Sequence, residues 1–454
     1  MHMRFSNRLH LDTPNAVTQA ERAAAARGQH LVRLADSNPT RHGLGYPDLP
    51  VYQATPRGPL ATRELLADFL TRRDNRAVDP ERLYLLSSTS QGYSWLMKLF
   101  CDPGDTVLAP TPGYPLVAEI ARLESARVAP YPLEWVGRWE LNLADFASPV
   151  HEAPSEVNAP TPDSRLVAGQ GVDATRGARA TDSDQSTPWS RPAAIVAINP
   201  NNPTGSYVHD FEREALVAYA ATQDIPLIAD EVFFDYWLDA GLAPREPAAK
   251  PLPAGDAAPP RIAPDEPPAT CANPRRLAGE TRVLTFALDG LSKNLAAPGA
   301  KVAWIEVSGP EDLVAAAQAR LDRIADAYLP FSDVLAARLP QWLAEVPAQT
   351  ARVRGRCQEN LAALRELVAG EPTGTVTVLA PEGGWNALLR FPAVVDEDSL
   401  VASLISGHGI TVQPGYFFDM PFPGVVSVSL LLEPEAFAPA VGVLLSELAT
   451  AATA

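Results

Sequence analysis

Short apolar runs alternate with longer amphipathic ones along most of this chain. Aliphatic runs at 82–87 (RLYLLS), 105–111 (DTVLAPT), 193–200 (AAIVAINP), 224–233 (DIPLIADEVF), 282–288 (RVLTFAL) and 301–307 (KVAWIEV) predict strands. The stretches 90–101 (SQGYSWLMKLFC), 115–124 (PLVAEIARLE) and 209–223 (HDFEREALVAYAATQ) lie between them and carry helical spacing. Strands and helices that alternate in this way predict an α/β fold: a mostly parallel sheet covered by helices, with ligands at the carboxyl ends of the strands. From 309 the pattern changes to a long helical stretch, followed by strand-like runs at 375–381, 385–392, 410–415 and 425–433. That change predicts a second, smaller α+β domain. The expected division is a large domain over 45–308 and a small one made of 1–44 plus 309–454.

Two segments break the alternation. Residues 151–192 are rich in Pro, Ser, Asp and Gly, and residues 242–280 are richer still in proline. Neither has helical or strand periodicity, so both read as disordered surface insertions, and Lys250 within the second is given no catalytic role. A formal net charge of −17 over 454 residues argues against nucleic acid or anionic lipid as a partner. The opening MHMRFSNRLHLDTPNAV lacks the apolar core of a signal peptide, and no uninterrupted apolar run approaches the roughly 18 residues that cross a bilayer. Cys101, Cys271 and Cys357 are too scattered for a disulfide framework or a zinc site. The expectation is a cytoplasmic protein without a bound metal.

The candidate chemistry starts from lysine usage. Lys98, Lys250, Lys293 and Lys301 are the only four lysines among the 37 basic residues, the other 33 being arginine. Two of them stand eight residues apart in LDGLSKNLAAPGAKVAW (288–304). A lysine amine can lose its proton and attack a carbonyl, which arginine cannot do. Lys293 follows Ser292 just after a predicted strand, where it could form an imine, while Lys301 could neutralise a phosphate. That pair of needs is the one set by pyridoxal phosphate.

Other segments fit the same ligand, though each has a plainer reading. Asn202 in NPNNPTG could bond a ring oxygen, or the run could be only a turn. Asp230, at the end of an apolar strand, could face a protonated pyridine nitrogen or cap a helix. Ser87, Ser88, Thr89 and Ser90 precede a helix, as in an anion site or as ordinary caps. Tyr114 in PTPGYP could stack on a heteroaromatic ring or pack in its loop. Core packing is the expected place of Trp95, Trp304 and Trp385.

In their order along the chain, DSNPTRHGLGYP, YQATPRGPLATREL, SSTSQGYS, PTPGYP, NPNNPTG, ADEVF, GLSKNLAAPGAKVAW and VQPGYFF resemble the fold type I pyridoxal-phosphate enzymes, in particular the class I/II aminotransferases. The resemblance runs from about residue 30 to the C-terminus, outside the two insertions. It implies that Lys293 is the Schiff-base lysine and general base, that Asp230 pairs with the pyridine nitrogen and Asn202 with the ring oxygen, and that Tyr114 stacks on the ring. It also implies that Thr89, Ser90, Ser292 and Lys301 hold the phosphate, that Tyr52 is lent to the phosphate of a neighbouring subunit, and that the protein is a homodimer. Asn38 stands in the DSNPTRHG motif as a candidate substrate residue.

Three positions depart from the family pattern. Lys301 stands where most members have arginine. Phe233 stands where a tyrosine usually shares the ring oxygen, a loss that Tyr236 would offset if it reached in. Ser427, in VVSVSLLLEPEAF, stands where an arginine usually grips the substrate carboxylate. This strand and Lys301 resemble those of a subgroup of bacterial members. Arg390 and Arg41 are the candidate replacements by motif context, unless the substrate is not a standard α-amino acid. The leading expectation is an aminotransferase acting on an amino acid and a 2-oxo acid. The alternatives are a β-elimination (carbon–sulfur) lyase, racemase or decarboxylase on the same fold, and a binding protein that has lost the chemistry.

Overall fold

The computed structural model describes every residue except 1, 2, 10, 12–14, 33, 143–190, 240–274, 330 and 454. Its larger sheet has eight strands: β1 (Leu83–Leu86), β2 (Thr106–Thr111), β3 (Arg127–Trp135), β4 (Trp139–Leu141), β5 (Ala194–Ile198), β6 (Leu227–Asp230), β7 (Thr285–Gly290) and β8 (Ala303–Ser308). They lie in the order β1-β8-β7-β6-β5-β2-β3-β4. The run β7-β6-β5-β2-β3 is parallel, while β8 pairs antiparallel with both β7 and β1, and β4 folds back on β3. All six strands expected in this region are present. The central ones, β5 and β7, are buried along their whole length, as a parallel sheet covered on both faces requires.

The helices are α1 (Ala16–Ala26), α2 (Leu60–Asp74), α3 (Thr89–Phe100), α4 (Leu116–Leu123), α5 (Asp210–Gln223), α6 (Leu291–Asn294), α7 (Glu311–Tyr328), α8 (Asp333–Ala369), α9 (Glu397–Ser403) and α10 (Pro434–Thr453). Helix α3 packs on the sheet through Gly92, where a Cβ would meet Leu288 Cδ2 at 2.7 Å. That close approach seats the helix start against the carboxyl ends of β1 and β7.

A second, antiparallel sheet runs β11 (Gln413–Pro414), β12 (Val425–Ser429), β10 (Asn386–Arg390), β9 (Thr377–Leu379). By length and apolar content α10 could cross a membrane. It instead buries Phe437, Val441, Leu444 and Leu448 in the core of this smaller sheet.

The expected domain division shifts in two places. Helix α7 belongs to the core of the larger sheet through Val314, Ala317, Leu321 and Ile324, and Phe5 near the chain start stacks on Phe100 of α3. Helix α8 serves both halves. Its first part packs Leu339, Leu343 and Val346 beside β1 and α2, and its second part packs Cys357, Leu361 and Leu364 under the smaller sheet.

Most of the two expected insertions lies outside the described residues. The end of the second does not fit that expectation: Arg276 and Leu277 are buried. Arg276 stacks over Phe234 at 3.9 Å and pairs with Asp74, Glu231 and Asp235.

Candidate active site

Thr89, Ser90, Tyr114, Asn202, Asp230, Ser292, Lys293 and Lys301 all line one cavity of about 440 Å³. The fold explains the convergence. Ser88, Tyr114, Asn202 and Asp230 each follow or end a strand (β1, β2, β5, β6) at the carboxyl edge of the parallel sheet, and α6 with Lys293 leaves the same edge of β7.

The lysine sits in a turn held from three sides. Asp289 Oδ1 accepts from the backbone N–H of Gly290 (2.7 Å) and from Asn294 Nδ2 (2.9 Å). Thr350 of α8 donates to the Asn294 carbonyl at 2.6 Å, and Tyr236 donates to the Lys293 carbonyl at 2.5 Å. Tyr236 is therefore spent on the backbone and does not reach into the cavity in place of the tyrosine missing at Phe233. The Lys293 ammonium lies 5.0 Å from the Phe233 ring centre and 4.9 Å from that of Trp385. Burial among these rings lowers its pKa, opposed by the nearby Asp230 carboxylate.

Asp230 ends β6 between Ile198 of β5 and Leu288 of β7. Burial raises its pKa to about 6, against the opposing effects of a hydrogen bond from Tyr93 Oη (2.9 Å) and one from the Val232 N–H (3.2 Å). No cation stands at ion-pair distance from it among the described residues.

Asn202 is oriented by Asn386, whose Nδ2 donates to its Oδ1 at 3.0 Å. The turn after it is docked on the smaller sheet. Gly205 has φ +71°, its carbonyl accepts from the Gly383 N–H at 2.8 Å, and a Cβ there would meet the Gly383 oxygen at 2.6 Å. At the start of α3, the Ser88 side chain caps the helix by accepting from the Gln91 N–H. This leaves the Thr89 and Ser90 hydroxyls facing the cavity with no internal hydrogen bond among the described residues, beside the positive end of the helix. Lys301, exposed and left-handed at φ 53°, closes the same side.

Four expected residues lie elsewhere. Arg390 ends β10, four residues and roughly 13 Å along the strand from the cavity-lining Asn386, and its guanidinium covers the Phe422 ring at 4.4 Å. Arg41 pairs with Asp36. Asn38 bonds the Tyr52 carbonyl at 2.9 Å and Tyr52 bonds back to Thr40 Oγ1, so both lie in an exposed segment away from this chain's own cavity. Trp95 and Trp304 are core residues as expected, but Trp385 lines the cavity. Tyr93, Asn386, Gln413 and Phe418 join the lining without having been singled out in the sequence. Tyr93 lies within the SSTSQGYS motif and Gln413 and Phe418 within VQPGYFF, whereas Asn386 enters through the packing of the smaller sheet, which no local motif records.

The family profile described as aminotransferase class I and II matches residues 7–443. The chain belongs to the class I and II aminotransferases. Within that family it is 28% identical over 225 residues to glutamate–glyoxylate aminotransferase 1 of Arabidopsis thaliana, covering 49% of this chain and 38% of the relative. It is 29% identical over 173 residues to a protein of Saccharomyces cerevisiae named inactive alanine aminotransferase, covering 38% of this chain and 28% of the relative. The chain thus spans well under half the length of the curated relatives it matches. Solved aminotransferases share the fold. The alanine aminotransferase of Pyrococcus furiosus superposes with a TM-score of 0.66 at 15% identity, covering 96% of both chains. The tyrosine aminotransferase of Leishmania infantum also gives 0.66, at 17% identity, covering 97% of this chain and 88% of that one.

Proposed function

We propose that this class I/II family member is an active aminotransferase that carries pyridoxal phosphate on Lys293 and exchanges an amino group between an amino donor and a 2-oxo acid. One observation carries the reading. Around a single cavity stand a half-buried lysine amine with no hydrogen bond, a buried carboxylate with no ion-pair partner, and an anion-seeking set of hydroxyls and ammonium at a helix start, all among the described residues.

The donor set fits the cofactor. The Thr89, Ser90 and Ser292 hydroxyls, the α3 N–H groups and the Lys301 ammonium would hold the phosphate. The Asp230 carboxylate would hold a ring cation, Asn202 the ring oxygen, and Tyr114 a face of the ring. When bound, the cofactor supplies an aldehyde for covalent attachment and a ring that accepts the electron pair left by the substrate's Cα proton. Lys293 Nζ, its basicity lowered by burial, would be the group that takes that proton and returns it on the far side of the substrate nitrogen. Tyr93 and Val232 keep Asp230 oriented through both steps. Phe233 offers no hydroxyl, so Asn202 is left as the ring oxygen's donor.

We infer a homodimer as well. Leu31, Val32, Leu34, Leu44, Tyr46 and Val51 are all exposed on one protomer, in the segment that carries Tyr52. A second copy would cover them and bring Tyr52 of the partner subunit to the phosphate.

Borohydride reduction followed by peptide mapping tests the attachment: the label belongs on the peptide that contains Lys293, and a cofactor-saturated sample without it overturns the reading. A half-reaction with amino donors, followed by the appearance of the pyridoxamine absorbance, tests transamination. One observation favours a second reading, a lyase, racemase or decarboxylase: no arginine lines the cavity among the described residues. Release of pyruvate and ammonia from a β-substituted amino acid without any 2-oxo acceptor would decide for the lyase.

A further inference from the structure

A second cavity, of about 320 Å³, adjoins the first between β11, β12 and α10. Asn386 and Gln413 line both spaces, and Leu431 of the first is followed directly by Leu432 of the second. Its walls are otherwise mainly apolar, with Ile410, Val412, Phe437, Val441 and Leu444, and no charged residue lines it among the described residues. Ser427, at the middle of β12, is 3% exposed, and its Oγ meets no partner among the described residues. Gln413 pairs with Ser427 across the sheet, and its side-chain amide makes no hydrogen bond among the described residues. Asn386 spends its Nδ2 on Asn202, and its Oδ1 has no hydrogen bond among the described residues.

The two cavities together present only two cations among the described residues, Lys293 and Lys301, and both have tasks in the proposed reaction. An anionic group entering the second cavity would give up its hydration with no counter-charge. A neutral polar group would lose little, because neutral amide groups wait at the junction. By the volume of liquid water, the space holds the equivalent of roughly ten water molecules, enough for a short aliphatic chain or a ring.

We propose that this cavity is a specificity pocket for the non-reacting end of the substrate, and that this end is uncharged: an apolar chain or ring bearing an amide, ester or hydroxyl that Gln413 and Asn386 hold at the mouth. Which end of the molecule reacts rests on the transamination reading; the pocket's preference for a neutral group does not.

Calorimetric titration of the cofactor-loaded protein with hexanamide and with hexanoate, neither of which carries an amine, tests the preference. Hexanamide should bind at least tenfold more tightly. Ala440→Trp, which fills the cavity, should weaken hexanamide at least tenfold, and Ser427→Arg should reverse the order of the two probes. Hexanoate binding as tightly as hexanamide overturns the proposal, as does an unchanged hexanamide affinity in an Ala440→Trp protein that retains its cofactor. In turnover, glutamine, whose far end is an amide, should exceed glutamate, whose far end is a carboxylate, in kcat/KM. A tenfold preference for glutamate overturns the proposal and leaves the aminotransferase reading standing. If no amino donor converts the cofactor, the aminotransferase reading falls, and the two calorimetric probes still judge the pocket.

Discussion

Asp230→Asn should make the cofactor-free protein more stable and the enzyme inactive. The carboxylate stands in the cavity wall at the end of a buried strand, and desolvation holds its pKa at about 6 against an ordinary 3.8. A folded-state pKa raised in this way means that the proton is held more tightly in the folded chain than in the unfolded one. The folded protein therefore suffers no penalty below pH 4, loses stability as pH rises from about 4 to 6, and carries the full cost above that. Two units correspond to ~3 kcal/mol. Asparagine keeps the shape and the Tyr93 contact without the charge. Urea unfolding of the cofactor-free proteins should show the variant more stable by up to ~3 kcal/mol at pH 7.5, with the gap closing near pH 4. The loaded variant should lose at least about a hundredfold in half-reaction rate, because no charge then answers the ring cation. If cofactor-free wild type is the more stable protein at pH 7.5, Asp230 is not a destabilised group waiting for a cation, and the reasoning fails.

Lys301→Ala should raise the dissociation constant for the cofactor roughly tenfold to a hundredfold, the scale of one lost charge-assisted contact, while borohydride labelling of Lys293 survives at saturating cofactor; equilibrium dialysis and peptide mapping check both. Gly92→Val should destabilise the fold by about 2 kcal/mol in urea, since even a bare Cβ there would meet Leu288 Cδ2 at 2.7 Å. His209 is held between Glu212 and Glu382, whose hydrogen bonds raise its pKa from 6.5 to about 9. Its stabilisation is complete below pH 6.5 and fades as pH climbs through 9, so His209→Gln should cost about 1–2 kcal/mol at pH 6, discounted for partial solvation, and close to nothing at pH 10.

Much of the architecture was legible because the central strands are apolar runs with turn residues at both ends. The hairpin β3–β4 was not. Pro130 and Pro132 break the look of a strand in RVAPYPLEW, yet both sit on the part of β3 that β4 leaves uncovered, where a missing N–H does little harm. Residues that lie in ordered motifs at strand ends, such as Asp230 and Asn202, could be placed from the sequence. Trp385 and Asn386 could not, because they enter the cavity only through the docking of the smaller sheet on the NPTG turn. Arg390 shows the converse. A cation near a motif is not a cation in the site, since four residues along a strand carry it out of reach. The boundary of the second insertion was misjudged for a similar reason: in NPRRLAGE the buried Arg276 looks as soluble as its neighbours until its four acidic partners fold around it.

Helix α8 is 37 residues long, about 55 Å end to end. One end is rooted beside the larger sheet and the other beneath the smaller one, and near its middle Thr350 grips the carbonyl next to Lys293. It works as a beam with its fulcrum at the reactive amine. A tilt of the smaller sheet on the larger would pivot the helix about that contact, so the lysine's backbone would stay anchored while the two sheets moved around it.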